Sequence, residues 1–206
     1  MNDKIEISFK IITIGNSGVG KTSIFARFLY DIFEQNLLST IGINYTSKNI
    51  NLNNGKKIQL KLFDTAGQER FQSLSKSYFR NADAVLFVYA ANDIKSFENI
   101  KDWIKIFMEN NNRKDIPLYL IENKNDLNRE IEENLIDDFL NEYNFKFKSI
   151  SAKLNEDNSI NELFMELSEL LYNIYEKSEK SQNTQKFYKL NPKKPKEPCI
   201  LCKFYY

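Results

Sequence analysis

Residues 15 to 23, Gly-Asn-Ser-Gly-Val-Gly-Lys-Thr-Ser, follow directly on the apolar run Phe9-Lys10-Ile11-Ile12-Thr13-Ile14. No other stretch constrains the chain as tightly. Gly15, Gly20, Lys21 and Thr22 satisfy the pattern G-x-x-x-x-G-K-[ST]. A strand entering such a loop and a helix leaving it aim successive backbone N–H groups, and the positive end of the helix, at one point, which suits a phosphate. Lys21 then supplies a point charge between β- and γ-phosphates, and the Thr22 hydroxyl a ligand for Mg²⁺. Asn16, Ser17, Gly18, Val19, Gly20 and Ser23 complete the loop. A glycine-rich turn that binds nothing is the bland alternative; the strand before and the helix after argue against it. The expectation is a nucleotide site.

Composition narrows the chemistry. Histidine is absent from the 206 residues, which excludes Ser-His-Asp and Cys-His catalysis and His-ligated zinc. Lys+Arg 29 against Asp+Glu 28 is near balance, so nothing draws the chain in bulk to nucleic acid or membrane. Cys199 and Cys202 lie at the C-terminal end, so the body has no disulfide and suits a reducing cytosol. No apolar run reaches the length of a membrane span, and Met1-Asn2-Asp3-Lys4 resembles neither a signal peptide nor a myristoylation site.

The order of elements sets the fold class. Strands are expected at 7–14, 44–52, 57–63, 84–90, 118–121 and near 145–150, the second and third joined by the Asn53-Asn54-Gly55 turn as a hairpin. Ala84 to Ala90 is apolar throughout, as a central strand covered on both faces must be. Helices are expected at 20–31, 94–109, near 130–142 and at 159–178. Their buried faces are Ile100, Ile104, Phe107 and Met108 in the second, and Ile160, Leu163, Phe164, Leu167, Leu170, Leu171 and Ile174 in the last. The alternation predicts an α/β protein: a three-layer structure of about five helices around a six-stranded, mostly parallel sheet with one antiparallel edge strand. Residues 1–178 form one domain on this reading. The polar, proline-punctuated segment 179–206 is expected to be a flexible tail.

Four polar clusters follow strands, so they meet at the carboxyl edge of the sheet, where ligands bind in such folds. Asp64, in Asp64-Thr65-Ala66-Gly67, is placed to hold Mg²⁺ through water. The Gly67 N–H is placed to register a terminal phosphate, and Gln68 to orient an attacking water. Thr40, in the loop before the hairpin, would complete the metal shell while that phosphate is present; alone, a loop hydroxyl is weak evidence. Asp126 of Asn123-Lys124-Asn125-Asp126 would accept two hydrogen bonds from guanine that adenine cannot donate. Ser151-Ala152-Lys153 would present the Ala152 N–H to guanine O6, with the Lys124 and Lys153 stems sandwiching the base.

These motifs together resemble the Ras-superfamily small GTPases over residues 8–177, and within them the Rab branch. The residues that carry the likeness are Ser39-Thr40-Ile41-Gly42-Ile43-Asn44-Tyr45, Lys61 to Phe71, Ser77-Tyr78-Phe79-Arg80-Asn81-Ala82, and Val88-Tyr89 with Ser96-Phe97-Glu98-Asn99-Ile100. The resemblance implies the small G domain of the P-loop NTPases, a GTP/GDP switch that hydrolyses GTP slowly with Mg²⁺. Thr40 and Gly67 would be its γ-phosphate sensors, Gln68 the water-positioning glutamine and Phe33 the aromatic beside guanine. Ile43, Tyr45, Phe63 and Tyr78 would form the effector surface. Implied partners are an exchange factor, a GTPase-activating protein and effectors, on the cytoplasmic face of an endomembrane. A monomer is expected, and no nucleic acid is involved.

Departures accompany the likeness. Phe63 replaces the usual tryptophan, Leu37 stands where many relatives carry tyrosine, Asn44-Tyr45 replaces Asp-Phe, and Glu122 replaces a small residue before the Asn-Lys-x-Asp motif. The end, Cys199-Ile200-Leu201-Cys202-Lys203-Phe204-Tyr205-Tyr206, is neither a C-a-a-X box nor a Cys-Cys or Cys-x-Cys ending. Lipidation of Cys199 or Cys202, with a prenyl-binding escort or GDP-dissociation inhibitor, is the reading; zinc or redox use of the pair is the alternative. The rival functions are a nucleotide kinase, a Ras-superfamily GTPase outside trafficking, and a scaffold that holds nucleotide with little hydrolysis.

Overall fold

The computed structural model describes the backbone of residues 7–35, 43–65, 78–113, 115–155 and 157–190, with side chains except those of residues 43 and 181–190. The elements, in order, are β1 (Ile7–Ile14), α1 (Lys21–Tyr30), β2 (Ile43–Asn51), β3 (Lys57–Thr65), β4 (Ala84–Ala90), α2 (Ile94–Glu98), α3 (Ile100–Asn110), β5 (Leu118–Asn123), α4 (Glu133–Glu142), β6 (Lys146–Ser149) and α5 (Ser159–Leu190). The strands form one sheet in the order β2-β3-β1-β4-β5-β6. Every pairing is parallel except β2 with β3, the edge hairpin. The expected fold class is therefore observed.

Local chemistry accounts for these elements. Gly55 turns the hairpin at φ 79° and donates its N–H to Leu52 O at 2.9 Å; residues other than glycine rarely hold that φ. All seven residues of β4 are buried, as its unbroken apolar run requires. One face of the sheet presents Ile12 and Ile14 of β1 and Val85, Phe87 and Tyr89 of β4 to α3 and α4. Residues between them on the strands take the opposite face. Separately, α1 and α5 pack together through Phe28, whose ring stacks on Phe164 at 3.9 Å. At about 25 cal/mol per Å² of apolar area, buried aromatics such as these dominate the core.

Three details differ from expectation. The helix read as 94–109 is two, α2 and α3, which meet at Asn99, whose N–H donates to Lys95 O at 3.0 Å. Ser96 Oγ donates to Asp93 O (2.7 Å) and accepts from the Ala90 N–H (3.0 Å), tying the first turn of α2 to the end of β4. Met108, expected inside, is exposed; the buried stripe of α3 is Ile100, Trp103, Ile104 and Phe107, the i, i+3, i+4, i+7 set that one helical face holds. In α5, Ile160, Leu163, Phe164, Leu167 and Leu171 are buried as expected, whereas Leu170 is half-buried and Ile174 exposed.

The chain divides into two compact units, the first ending at Leu171 and the second beginning at Tyr172. In the second unit the helical backbone runs past residue 178 to Leu190. No proline or glycine interrupts residues 179–190, and a Glu176–Lys180 pair at 2.6 Å (i, i+4) supports the turn that crosses position 178. Residues 191–206, with Cys199 and Cys202, lie outside the described residues. No helix among the described residues is long and apolar enough to cross a membrane.

Candidate functional site

A cavity of about 420 Å³ opens at the carboxyl edge of the sheet. Its walls come from the loop between β1 and α1 (Ser17, Gly18, Gly20, Lys21, Thr22, Ser23), from Phe33, Glu34 and Gln35 after α1, from Thr65, from Asn123, Lys124, Asp126 and Leu127 after β5, and from Ala152 and Lys153 after β6. Twelve of these sixteen are residues that the sequence pattern had singled out. The other four are Glu34, Gln35, Thr65 and Leu127, each within two positions of a predicted residue along the chain.

The phosphate-loop glycines are shaped for close approach. Gly15, Gly18 and Gly20 all have positive φ, at 148°, 79° and 94°. A Cβ on Gly15 would lie 2.1 Å from Val88 O, and one on Gly20 2.2 Å from Asn123 Nδ2; only a hydrogen fits there. Gly20 also caps the N-terminus of α1, so the positive end of that helix lies at the loop. Asn16 and Val19 support the loop from behind. Asn16 Oδ1 accepts from Trp103 Nε1 at 2.8 Å, and Val19 O from Asn123 Nδ2 at 2.8 Å.

Lys21 is buried, with Nζ donating to the carbonyls of Gly15 (2.9 Å) and Asn16 (2.7 Å). Burial lowers its pKa to about 8, against a smaller upward pull from Asp64. Next to it, Thr22 Oγ1 donates to Asp64 Oδ2 at 2.5 Å, and Thr13 Oγ1 to Asp64 Oδ1 at 3.3 Å. Asp64 is itself buried near the end of β3. A cationic amine, a hydroxyl and a carboxylate thus share one end of the cavity.

The other end is built from β5 and β6. Asn123 crosses between loops: Oδ1 accepts from the Ala152 N–H at 3.1 Å while Nδ2 holds Val19 O. The Ala152 N–H, which the sequence pattern aims at a base, is thus donated to Asn123. Asp126 Oδ1 accepts from Ser151 Oγ at 2.6 Å, and Ser151 Oγ in turn accepts from the Leu154 N–H at 3.0 Å. Arg27, on α1, grips the same loop: Nε donates to Ala152 O (3.0 Å) and Nη2 to Lys153 O (2.9 Å). Nothing in the spacing of Arg27 announced this role.

The remaining predicted residues fall elsewhere. Tyr45, Phe63 and Tyr78 form a ring series away from the cavity, with centroids 5.0 Å apart for Tyr45–Phe63 and 6.2 Å for Phe63–Tyr78. Tyr45 and Tyr78 are exposed. The Ile43 backbone begins β2 opposite Thr65. Thr40, Gly67 and Gln68 lie outside the described residues.

Comparison with known proteins agrees with this geometry. The model of the Ras family matches residues 10–173. Ras-related protein SEC4 of Saccharomyces cerevisiae is 40% identical over 163 residues, covering 79% of this chain and 74% of that protein. Ras-related protein Rab-13 of Bos taurus is 38% identical over 163 residues (77% and 79%). Ras-related protein Rab-10 of Diplobatis ommata is 39% identical over 166 residues (80% and 81%).

Proposed function

The chain belongs to the Ras family, in its Rab branch, and is a small GTPase, a GTP/GDP switch of vesicle trafficking; we propose that the cavity at the carboxyl edge of its sheet is the nucleotide site. One observation carries this reading. Lys21, Thr22, Gly18 and Gly20 line the same cavity as Asn123, Lys124, Asp126 and Ala152. Phosphate chemistry and base chemistry thus occupy opposite ends of one space.

At the base end, Ser151 orients Asp126 through one carboxylate oxygen. A carboxylate offers about four lone-pair sites, so sites remain for the N1–H and exocyclic amine of guanine. Adenine supplies neither donor in that arrangement and would leave the carboxylate unpaired. Phe33 and the stems of Lys124 and Lys153 cover the base. At the phosphate end, Lys21 exchanges its two carbonyl partners for phosphate oxygens, and the N–H groups of residues 16–23 hold the rest.

The donors around Asp64 fit Mg²⁺. Thr22 and Asp64 present hard oxygens, the kind this ion takes. Among the described residues no group of three or more acidic or cysteine side chains is gathered to hold a metal by itself, as suits an ion shared with phosphates and water. Thr22 and Asp64, with Thr40, would hold it, and it would offset developing charge on the phosphates. Gln68 orients the water that attacks the γ-phosphorus in line, and GDP leaves. Among the described residues no arginine lines the cavity, and hydrolysis is expected to depend on an activating protein.

A Rab GTPase works with exchange factors, activating proteins and effectors on endomembranes. In this chain Thr40 and Gly67 would read the γ-phosphate and order the neighbouring surface of Ile43, Tyr45, Phe63 and Tyr78 for effectors. Residues 1–178 would be the switch and 179–206 the arm. That arm would be prenylated on Cys199 or Cys202, held by an escort of the GDP-dissociation-inhibitor kind, and placed on the cytoplasmic face of the membrane. Replacing Asp126 by Asn tests the base end. Asn donates where xanthine has a carbonyl, so Asp126→Asn should weaken GTP about a hundredfold and favour XTP, measured by competition binding. Unchanged GTP affinity would refute the assignment.

A further inference from the structure

Glu122 has no part in the scheme above, yet it is fully buried. A buried carboxylate is tolerated only when paired and hydrogen-bonded, and this one is heavily so. Oε2 accepts from Tyr89 OH at 2.9 Å. Oε1 accepts from Arg129 Nε (3.1 Å) and Nη2 (2.7 Å) and from Ser149 Oγ (3.0 Å). Tyr89, Glu122 and Ser149 stand in one row across three parallel strands, β4, β5 and β6. Burial of the Tyr89 phenol, with the Glu122 carboxylate beside it, holds its pKa above the ordinary range, so it stays a donor.

This row lies one residue before the base motif. Successive residues of a strand point to opposite faces, so Asn123 turns to the phosphate loop while Glu122 turns the other way. Two bonds then connect Glu122 to the loop that follows. Ser149 Oγ–H is spent on Glu122, which aims the hydroxyl lone pairs at Asn125 Nδ2, 3.1 Å away. Arg129 is held at the far end. Asp126 and Leu127, both lining the cavity, lie between these two anchors. Within the same loop Lys124 sits at φ 62°, a conformation that a lysine keeps only where its surroundings impose it.

We propose that Glu122 is a positioning residue for base recognition. Through Ser149–Asn125 on one side and Arg129 on the other, its carboxylate fixes the loop that carries Asp126, and so sets the preference for guanine over hypoxanthine. This rests on the base-reading role of Asp126 given above. Hypoxanthine lacks the exocyclic amine, so it forgoes one of the two bonds to Asp126. A displaced Asp126 loses the guanine bond that discriminates, and the ratio of affinities falls.

The test is competition binding of GDP, IDP and ADP to the full chain and to two variants, Glu122→Gln and Ser149→Ala. Glu122→Gln keeps the shape and removes the charge; the GDP/IDP affinity ratio should fall about tenfold, the worth of one charge-assisted bond. Ser149→Ala keeps the Glu122–Arg129 pair and removes the Ser149 bridge, with its bonds to Glu122 and to Asn125, so the ratio should fall about threefold. If Glu122→Gln does not fold, Ser149→Ala decides the matter alone. GDP and IDP weakened by one common factor, or an unchanged ratio in folded variants, overturns the positioning role while leaving the base reading intact. A wild-type chain that binds GDP and ADP alike overturns the base reading and this inference with it.

Discussion

The two ends of the cavity are held together in different ways. At the proposed base end, the polar groups bond to partners on other elements of the fold. Asn123 bridges Val19 and Ala152, Ser151 holds Asp126, and Arg27 grips two carbonyls of the 152–153 loop. At the phosphate end, the groups bond to one another: Lys21 to the carbonyls of its own loop, Thr22 to Asp64. On the proposed function, those bonds would be exchanged for ligand bonds on binding. The base end is pre-organised, which favours selectivity; the phosphate end is charged and convertible, which suits a site that reports a phosphate's presence.

Gly20 joins the two ends, so a side chain there should have the largest effect. In Gly20→Ala the new Cβ would meet Asn123 Nδ2 at 2.2 Å, at a backbone φ of 94°. Overpacking and a positive φ together should destabilise the chain by about 2–4 kcal/mol, measurable by denaturant unfolding. Gly18→Ala is the control: its Cβ meets nothing within 4 Å, so only the cost of the positive φ remains, about 1 kcal/mol. Equal losses at the two positions would mean that Asn123 does not clamp the loop.

The convertible end should reveal itself through pH. Burial lowers the Lys21 pKa to about 8 in the chain without ligand, and bound phosphate would raise it. Below pH 8 the amine is already charged and affinity for GDP is level. Above pH 8 binding must take up a proton, so affinity should fall by up to about tenfold per pH unit. Calorimetry in buffers of different ionisation enthalpy should show proton uptake that is small at pH 7 and grows towards one by pH 9.5. The sign reverses for stability without nucleotide. The charged amine is penalised by burial, fully so below pH 8, and that penalty is relieved between pH 8 and the unfolded value near 10.5. Affinity level from pH 7 to 9.5 would show that Lys21 does not meet phosphate.

What could be read from the sequence was whatever depends on neighbours along the chain. The phosphate loop, the Asn-Gly hairpin turn, the unbroken run of β4 and the motif after β5 are local patterns with local causes, and the structure has each of them. What could not be read joins distant residues. Arg27 touches the loop at 152–153, and Trp103 Nε1 finds Asn16; neither has a spacing that signals a partner. Glu122 stood out only as a departure, and its partners on β4, β6 and the following loop needed the sheet order to be known. The split of α2 from α3 falls at Asn99, where neither proline nor glycine marks a break in the sequence. Met108 falls outside the buried stripe because that stripe is narrow, and the residue after Phe107 turns by about 100° around the axis.

Arg27 offers the smallest and sharpest test of the division between the ends. Its guanidinium is mostly buried and makes four bonds, two to the 152–153 loop and two to Asp31 at the end of its own helix. Arg27→Met keeps most of the aliphatic stem and removes the grip on Ala152 and Lys153. The base loop then loses two charge-assisted anchors, though Asn123 and Ser151 remain. GDP should dissociate about three to ten times faster, which is the share of roughly 1 kcal/mol expected from such bonds. The informative measurement is the pH profile of that variant. If the ends are independent, GDP affinity is lower at every pH but begins to fall at the same point near pH 8, because Lys21 keeps its surroundings. A shifted profile would mean that α1 transmits a change from Arg27 back to Lys21, six residues earlier on the same helix, and the two ends would then have to be treated as one coupled site.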